Sequence, residues 1–384
     1  SSVYGVSDLE RLIVRRKLDK PILSTIPIND DISARYYQKE AIRAVCQNLE
    51  NKVRRSLLVM ATGTGKTRTS VSLVDVLSRS NQVTNVLFLA DRIALVSQAK
   101  DAFREHLPSA SLCNLCESKD DKNARIVFST YPTILNAIEK SLDGEGKRLF
   151  TPGHFDLIIV DESHRSIFKK YRAIFEYFDA ILVGLTATPK SEVDRNTFDF
   201  FEVENGVPTY AYSYDEAIKD NYLVPYYNFE MESKFLSEGI VYDELSKEDQ
   251  ERLEDEAMDQ AGEFQGNYSA TEVNSIIYST DTIDYVLREL DQNGIKTHNG
   301  DSLGKTIIFA QNKKHARLIE ERFNWLYRSS KGKKARVIVS SDQHALHLID
   351  QFKFSDGEPD IAISVDMLDT GIDVPACVNL VFFK

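Results

Sequence analysis

Apolar residues in this chain fall in short continuous runs separated by segments of helical period. Runs rich in Val, Ile, Leu and Phe occupy 56–60, 85–90, 125–129, 156–160 and 180–185. Continuous runs, as opposed to alternating ones, are what parallel strands covered on both faces require. Between them, Val71, Val74 and Leu77 recur at every third position, and Ala41, Ile42, Val45 and Leu49 also share one helical face. A second series begins near Thr271. It predicts strands at Lys305–Ala310, Ala335–Ser340, Asp360–Val365 and Val378–Phe383, and helices at 312–327 and 342–353. Strand and helix in strict alternation give an α/β fold with a doubly wound parallel sheet, whose ligands bind outside the carboxyl ends of the strands. Two such series predict two domains of that kind in tandem.

The expected organisation is an N-terminal linker and helix at 1–30, a first α/β domain at 31–215, a connection with an insertion at 216–270, and a second α/β domain at 271–384. Leu9 to Leu18 is basic and amphipathic, and its Arg15, Arg16 and Lys17 are read as a solvated face, with a nucleic-acid contact as the alternative. Tyr222-Leu223-Val224-Pro225-Tyr226 reads as a crossing connection. A first residue other than Met and a final apolar run suggest a piece of a longer protein, with the second domain cut short at its C-terminus.

A net charge of −12 argues against a nucleic-acid partner until its distribution is read. Residues 230–263 hold thirteen acidic side chains against three basic ones, leaving a net of −2 for all the rest. Lys313 to Arg336, by contrast, carries nine Lys and Arg against Glu320 and Glu321. The acidity therefore belongs to one insertion. Four cysteines in 384 residues fit a reducing compartment. Cys113-x-x-Cys116 and His344-x-x-His347 lack the further ligands of a metal site, so they read as loop thiols and a helix surface. No apolar run approaches the ~20 residues of a membrane span.

Candidate chemistry concentrates after the first predicted strand. Thr62-Gly63-Thr64-Gly65-Lys66-Thr67 lies between a strand and a helix. Glycines there let backbone N–H groups approach a phosphate, the helix N-terminus adds positive potential, Lys66 neutralises phosphate oxygens, and Thr67 can ligate Mg²⁺. The strict phosphate-loop pattern has Gly where Met60 stands. The run Asp156 to Val160 leads into Asp161-Glu162, and a strand next to the cradle strand is expected to bring Asp161 within reach of the metal. Glu162 can then orient and deprotonate the attacking water.

These residues carry a family resemblance. Gly63-Thr64-Gly65-Lys66-Thr67, Asp161-Glu162-Ser163-His164 and Thr186-Ala187-Thr188-Pro189 resemble, in order, motifs I, II and III of superfamily 2 helicases and translocases, which likewise lack Gly at the Met60 position. Arg35-Tyr36-Tyr37-Gln38 resembles their adenine-reading element, Phe88-Leu89-Ala90-Asp91-Arg92 motif Ia, Phe128-Ser129-Thr130-Tyr131 motif Ib, and Thr306 to Ala310 motif IV. Ser364 to Asp373 looks like motif V. Asp161 to Tyr171, Gly184 to Lys190, Tyr222 to Pro225 and Val365 to Pro375 are most similar to the motor subunit of type I restriction enzymes.

The resemblance implies two RecA-like domains, ATP with Mg²⁺ as cofactors, and double-stranded DNA as partner. It implies nucleotide contacts from Arg35, Gln38, the cradle, Gly371 and Asp373. Nucleotide-to-DNA coupling would fall to His164, Thr186 and Thr188, and phosphate-backbone contacts to Arg92, Ser129, Thr130, Ala310 and Thr370. It further implies a cytoplasmic DNA translocase bound to methyltransferase and specificity subunits, with motif VI beyond Lys384. No nuclease residue is assigned. A strand-separating helicase or remodeller of repair or replication, and a nucleotide-dependent interaction module without catalysis, are the competing expectations.

Overall fold

The computed structural model describes residues 4–117, 123–139, 149–161, 171–188, 195–230, 240–241, 247, 267–268, 280–297, 300, 302–327, 334–339, 342, 344–354, 358–365, 367–368 and 374–383. Two units are distinguished, Ser1–Tyr226 and Tyr227–Lys384. Most of the acidic insertion lies outside the described residues.

In the first unit the described helices are α1 Val6–Lys17, α2 Tyr36–Glu50, α3 Lys66–Arg79, α4 Ile93–His106, α5 Tyr131–Glu139, α6 Arg172–Tyr177, α7 Arg195–Phe200 and α8 Tyr214–Lys219. The strands are β1 Arg55–Met60, β2 Val86–Ala90, β3 Leu112–Asn114, β4 Ile126–Thr130, β5 Leu157–Val160, β6 Ile181–Thr186 and β7 Tyr210–Tyr212. They form one sheet in the order β3-β4-β2-β5-β6-β1-β7. Every pairing in it is parallel.

The five predicted strands are all present in this sheet, and the continuous apolar runs have the predicted cause. Alternate residues of each strand feed opposite faces. Leu58, Met60, Phe88, Phe128 and Ile159 join one core, with Val45, Val71 and Phe103 from α2, α3 and α4. Leu57, Val59, Leu87, Val127 and Ile158 join the other, with Ile134, Ile174 and Phe198 from α5, α6 and α7. Gly184 on β6 is where the packing is tightest: a Cβ there would overlap the Phe201 ring. Two strands were not anticipated, β3 and β7, each only three residues long and placed at the sheet edges.

The topology corrects one expectation. The strand carrying Asp161 is not next to the cradle strand, because β6 lies between β5 and β1. A second correction concerns α1. Its basic residues are not all solvated: Arg15 reaches the Asp156 carboxylate at 2.5 Å and Arg11 at 3.5 Å. Arg11 also donates to the carbonyls of Gly153 and His154. Asp156 itself accepts the backbone N–H groups of Thr84 and Asn85. It is the apolar residues Val6, Leu9, Ile13 and Val14 that face solvent, because a buried carboxylate attracts the guanidinium face more strongly than exposed helix surface does.

In the second unit, β10 Lys305–Phe309, β11 Ala335–Ile338, β12 Ile361–Ser364 and β13 Cys377–Phe382 form a four-stranded parallel sheet in the order β11-β12-β10-β13. They follow a short antiparallel pair, β8 Ile240–Val241 and β9 Asn267–Tyr268. Helices α9 Thr280–Asn293 and α10 Lys313–Leu326 contribute to one core, and α11 Ala345–Lys353 to the other. Arg322 of α10 is fixed to Asp284 of α9 by paired hydrogen bonds of 2.8 and 2.6 Å. Cys113 is a buried residue of β3, while His344 and His347 are exposed at the start of α11.

Replacing Asp156 by Ala strands the two guanidinium groups and two backbone amides, so unfolding free energy of the first unit falls by roughly 3 kcal/mol, measurable by denaturant titration. His315, buried at 2 % exposure, is held by desolvation at about 4, well below the ordinary imidazole value. The unfolded chain therefore binds a proton that the folded one refuses. Stability is complete above pH 6.5 and falls as the pH drops toward 4, by about 3 kcal/mol over that window. Acid unfolding of His315→Gln should lack that component.

Candidate nucleotide-binding site

The cradle begins where β1 ends. Chain reversal between Met60 and Lys66 requires left-handed backbone at Gly63 (φ +81°) and Gly65 (φ +86°), a conformation glycine adopts without steric cost. Gly65 is the N-cap of α3, a 14-residue helix whose first-turn amides have no intrahelical acceptor. Lys66 and Thr67 are half-buried, while Thr62 and Gly63 are exposed.

The loop is braced from behind. The Thr64 carbonyl accepts the Tyr37 hydroxyl at 2.9 Å and the Gln38 amide at 3.0 Å. The Thr64 hydroxyl donates to the Ala61 carbonyl at 2.6 Å. Gln38 is thus 2 % exposed and bonded to the loop. Arg35 donates to the Tyr37 hydroxyl at 2.8 Å and lies over the Tyr222 ring, 5.0 Å from its centroid. Tyr37 stacks on Tyr212 with centroids 4.0 Å apart, and Tyr36 and Tyr212 both donate to Asp220. Burial holds the Tyr37 hydroxyl above the ordinary phenol range and Arg35 opposes it, so at neutral pH the group is a proton donor. The tyrosines at 36, 37, 212 and 222 form a cluster that sequence reasoning missed. Its only signal was the Tyr36-Tyr37 pair beside Gln38, since the other two rings come from distant segments.

The other described candidates of this unit stand at the carboxyl edge of the same sheet. Asp161 follows the last residue of β5, its backbone N–H bonded to the Leu89 carbonyl. Thr186 ends β6 opposite Val59 and is buried, and its hydroxyl accepts the Thr188 N–H at 3.1 Å. Arg92 caps α4 just beyond β2. Ser129 and Thr130 end β4 with their hydroxyls turned inward, Ser129 to the Thr130 carbonyl and Thr130 to Thr133. Across the sheet, cradle, Thr186 and Asp161 occupy adjacent strand ends, and Arg92, Ser129 and Thr130 the next two. Ala310 is buried beyond β10 in the other unit. Glu162, His164, Thr370, Gly371 and Asp373 lie outside the described residues.

The donor set fits Mg²⁺ held together with a phosphate. Among the described residues no three metal-ligating side chains converge. A nucleotide-bound Mg²⁺ needs only one or two protein oxygens, because phosphates and water complete its shell. Thr67, in the first turn of α3, and Asp161, just beyond β5, supply that chemistry at the carboxyl edge of one sheet.

Comparison with known proteins follows this geometry. Residues 31–191, which span cradle, Asp161 and Thr186, match the family "Type III restriction enzyme, res subunit", and residues 281–384 match "Helicase conserved C-terminal domain". A restriction-subunit domain is thus followed by a helicase C-terminal domain.

Among curated relatives, the type I restriction enzyme EcoKI endonuclease subunit of Escherichia coli K12 is 25% identical over 402 residues, covering 93% of the chain and 32% of that protein. The EcoAI endonuclease subunit of E. coli is 37% identical over 198 residues, covering 50% of the chain and 24% of that protein. The chain therefore spans about a third or less of the length of these relatives. A fragment structure of a putative HsdR subunit of a type I restriction enzyme from Vibrio vulnificus has the same fold, with a TM-score of 0.61, 24% identity, and coverage of 93% of this chain and 58% of that one. No described helix is long and apolar enough to cross a membrane.

Gly65→Ala tests the cradle. Its new Cβ would lie 2.5 Å from the Gln38 Nε2 at a φ that alanine resists. ATP affinity, followed by calorimetry, should fall by about a hundredfold while the rest of the first unit keeps its circular dichroism.

Proposed function

We propose that this chain is the ATP-driven motor of a type I restriction enzyme's endonuclease subunit, translocating double-stranded DNA. The observation that carries the reading is the alignment of the braced cradle, Thr186 and Asp161 on adjacent strand ends of one parallel sheet, in a chain similar to EcoKI's endonuclease subunit along almost its whole length.

In this reading the amides after Gly63 and Gly65 and the Lys66 ammonium hold the phosphates. Thr67 and Asp161 hold Mg²⁺, which when bound neutralises charge developing on the β and γ oxygens. Glu162 orients a water and accepts its proton. Arg35 and Gln38 lie on the base side of the cradle. Thr186 and Thr188, at the end of the strand between those of cradle and acid, relay nucleotide state toward Arg92, Ser129 and Thr130 together with His164. Arg92 engages one strand through its phosphates, Ser129 and Thr130 do so through backbone because their hydroxyls are bonded internally, and Ala310 and Thr370 are the phosphate-contact candidates of the second unit. Such contacts carry no sequence information, which assigns recognition to a partner specificity subunit, alongside a methyltransferase. Gly371 and Asp373 are the second unit's candidate nucleotide contacts. A reducing cytoplasm suits a chain with only four cysteines in 384 residues.

In the complete subunit, Glu162→Gln should retain ATP binding and lose DNA-stimulated phosphate release by about 10² to 10⁴-fold. Normal turnover in that variant would remove Glu162 from the base role. Displacement of a triplex-forming strand from long duplex DNA, without separation of the duplex, distinguishes a translocase from a strand-separating helicase.

A further inference from the structure

Tyr222 was expected only to begin a connection, yet it lies against the cradle's bracing. Its ring centroid is 5.1 Å from that of Tyr37, and its face carries the Arg35 guanidinium at 5.0 Å. The next residue touches the cradle itself: a Cβ on Gly63 would lie 3.0 Å from the Leu223 Cδ2. The N–H groups of Tyr222 and Leu223 both bond to the Ala217 carbonyl at the end of α8, at 2.9 and 3.1 Å, so the corner is fixed by backbone. Tyr222 keeps 36 % exposure, and Arg35 is half-buried, so the pair borders open space beside the loop.

We infer that Tyr222 is a positioning residue for base recognition: it holds the Arg35 guanidinium flat, so that its outer face stacks on the purine of the nucleotide whose phosphates occupy the cradle. The inference rests on the nucleotide reading above and assigns it a specific wall. A guanidinium is planar and stacks on bases as readily as on phenol rings. Left alone, a half-exposed Arg samples many rotamers. Here one Nη donates to the Tyr37 hydroxyl while the Cζ lies over the Tyr222 ring. The Tyr37 hydroxyl in turn donates to the Thr64 carbonyl, so base wall and phosphate cradle share one chain of bonds. Because residue 222 also opens the peptide leading out of the first unit, which ends at Tyr226, the same ring ties that exit to the base wall.

The test uses the complete subunit and two ligands, ATP and inorganic tripolyphosphate, which share phosphates but not the base. Tyr222→Ala should weaken ATP about tenfold, the size of one lost stack, and leave tripolyphosphate affinity unchanged. Tyr222→Phe, which keeps the ring, should restore ATP affinity. Arg35→Lys, which keeps the charge and loses the plane, should reproduce the Tyr222→Ala loss, and combining the two should add little. Thermal unfolding of each variant checks its folding. Equal weakening of both ligands by Tyr222→Ala, or no weakening of either by both variants, overturns the inference while leaving the nucleotide reading intact. A wild-type protein that binds neither ligand overturns the nucleotide reading, and the inference with it.

Discussion

The carbonyl of Thr64 is the point on which the first unit's site depends. A loop that turns its amides toward a phosphate must send at least one carbonyl the other way, into the protein, where an unmet acceptor would be costly. Tyr37 and Gln38 meet it from the first turn of α2, a helix whose own apolar face is locked into the core through Ala41, Ile42 and Val45. The loop therefore cannot relax without unseating α2. That dependence explains why Tyr37 is wholly buried despite its hydroxyl, and why the pair next to it in space, Arg35 over Tyr222, is presented to the outside in a fixed orientation.

Strand order then decides which chemical groups can cooperate. In a parallel sheet all strands deliver their carboxyl ends to one edge, so residues distant in sequence become neighbours at spacings of about 4.8 Å. Nucleotide-side and DNA-side candidates are sorted along that edge without mixing, the cradle, Thr186 and Asp161 toward one side and Arg92, Ser129 and Thr130 toward the other. β2 and β5 are paired at Leu89 and Val160, just short of Arg92 and Asp161, which makes that pair the boundary between the two groups.

Much of this was legible from residue order. Buried parallel strands announce themselves by unbroken apolar runs, and the cradle by glycines whose positive φ no other residue adopts cheaply. What was not legible depends on contacts that local pattern does not encode. β3 and β7 are three residues long, too short for any period to register, and exist because a neighbouring strand offers them a free edge. The polarity of α1 read correctly as amphipathic, and Arg16 and Lys17 are solvated as expected, but Arg15 is not. Only the buried carboxylate of Asp156, more than a hundred residues away, makes Arg11 and Arg15 the inward side. Tyr212 and Tyr222 are likewise ordinary aromatic residues until α2 brings Tyr37 between them.

The interposed strand β6 is the difference between expectation and structure with the most mechanical content. Were β5 next to β1, the metal-holding acid and the phosphate cradle would share a direct strand contact, and a shift in one could be absorbed there. With β6 between them, Thr186 sits at the end of the strand hydrogen-bonded to both, opposite Val59 on one side and continuing the Val160–Gly184 register on the other. Its hydroxyl is committed to the Thr188 amide, so the turn that follows is stiff. A displacement of cradle or acid must pass through this buried strand, where Gly184 lies against the Phe201 ring with no room to yield. Close packing of that kind transmits movement without dissipating it. Under the proposed reading, this is why Thr186, which links nucleotide state to DNA, belongs at the end of β6 and not on the strands that hold the nucleotide or the acid.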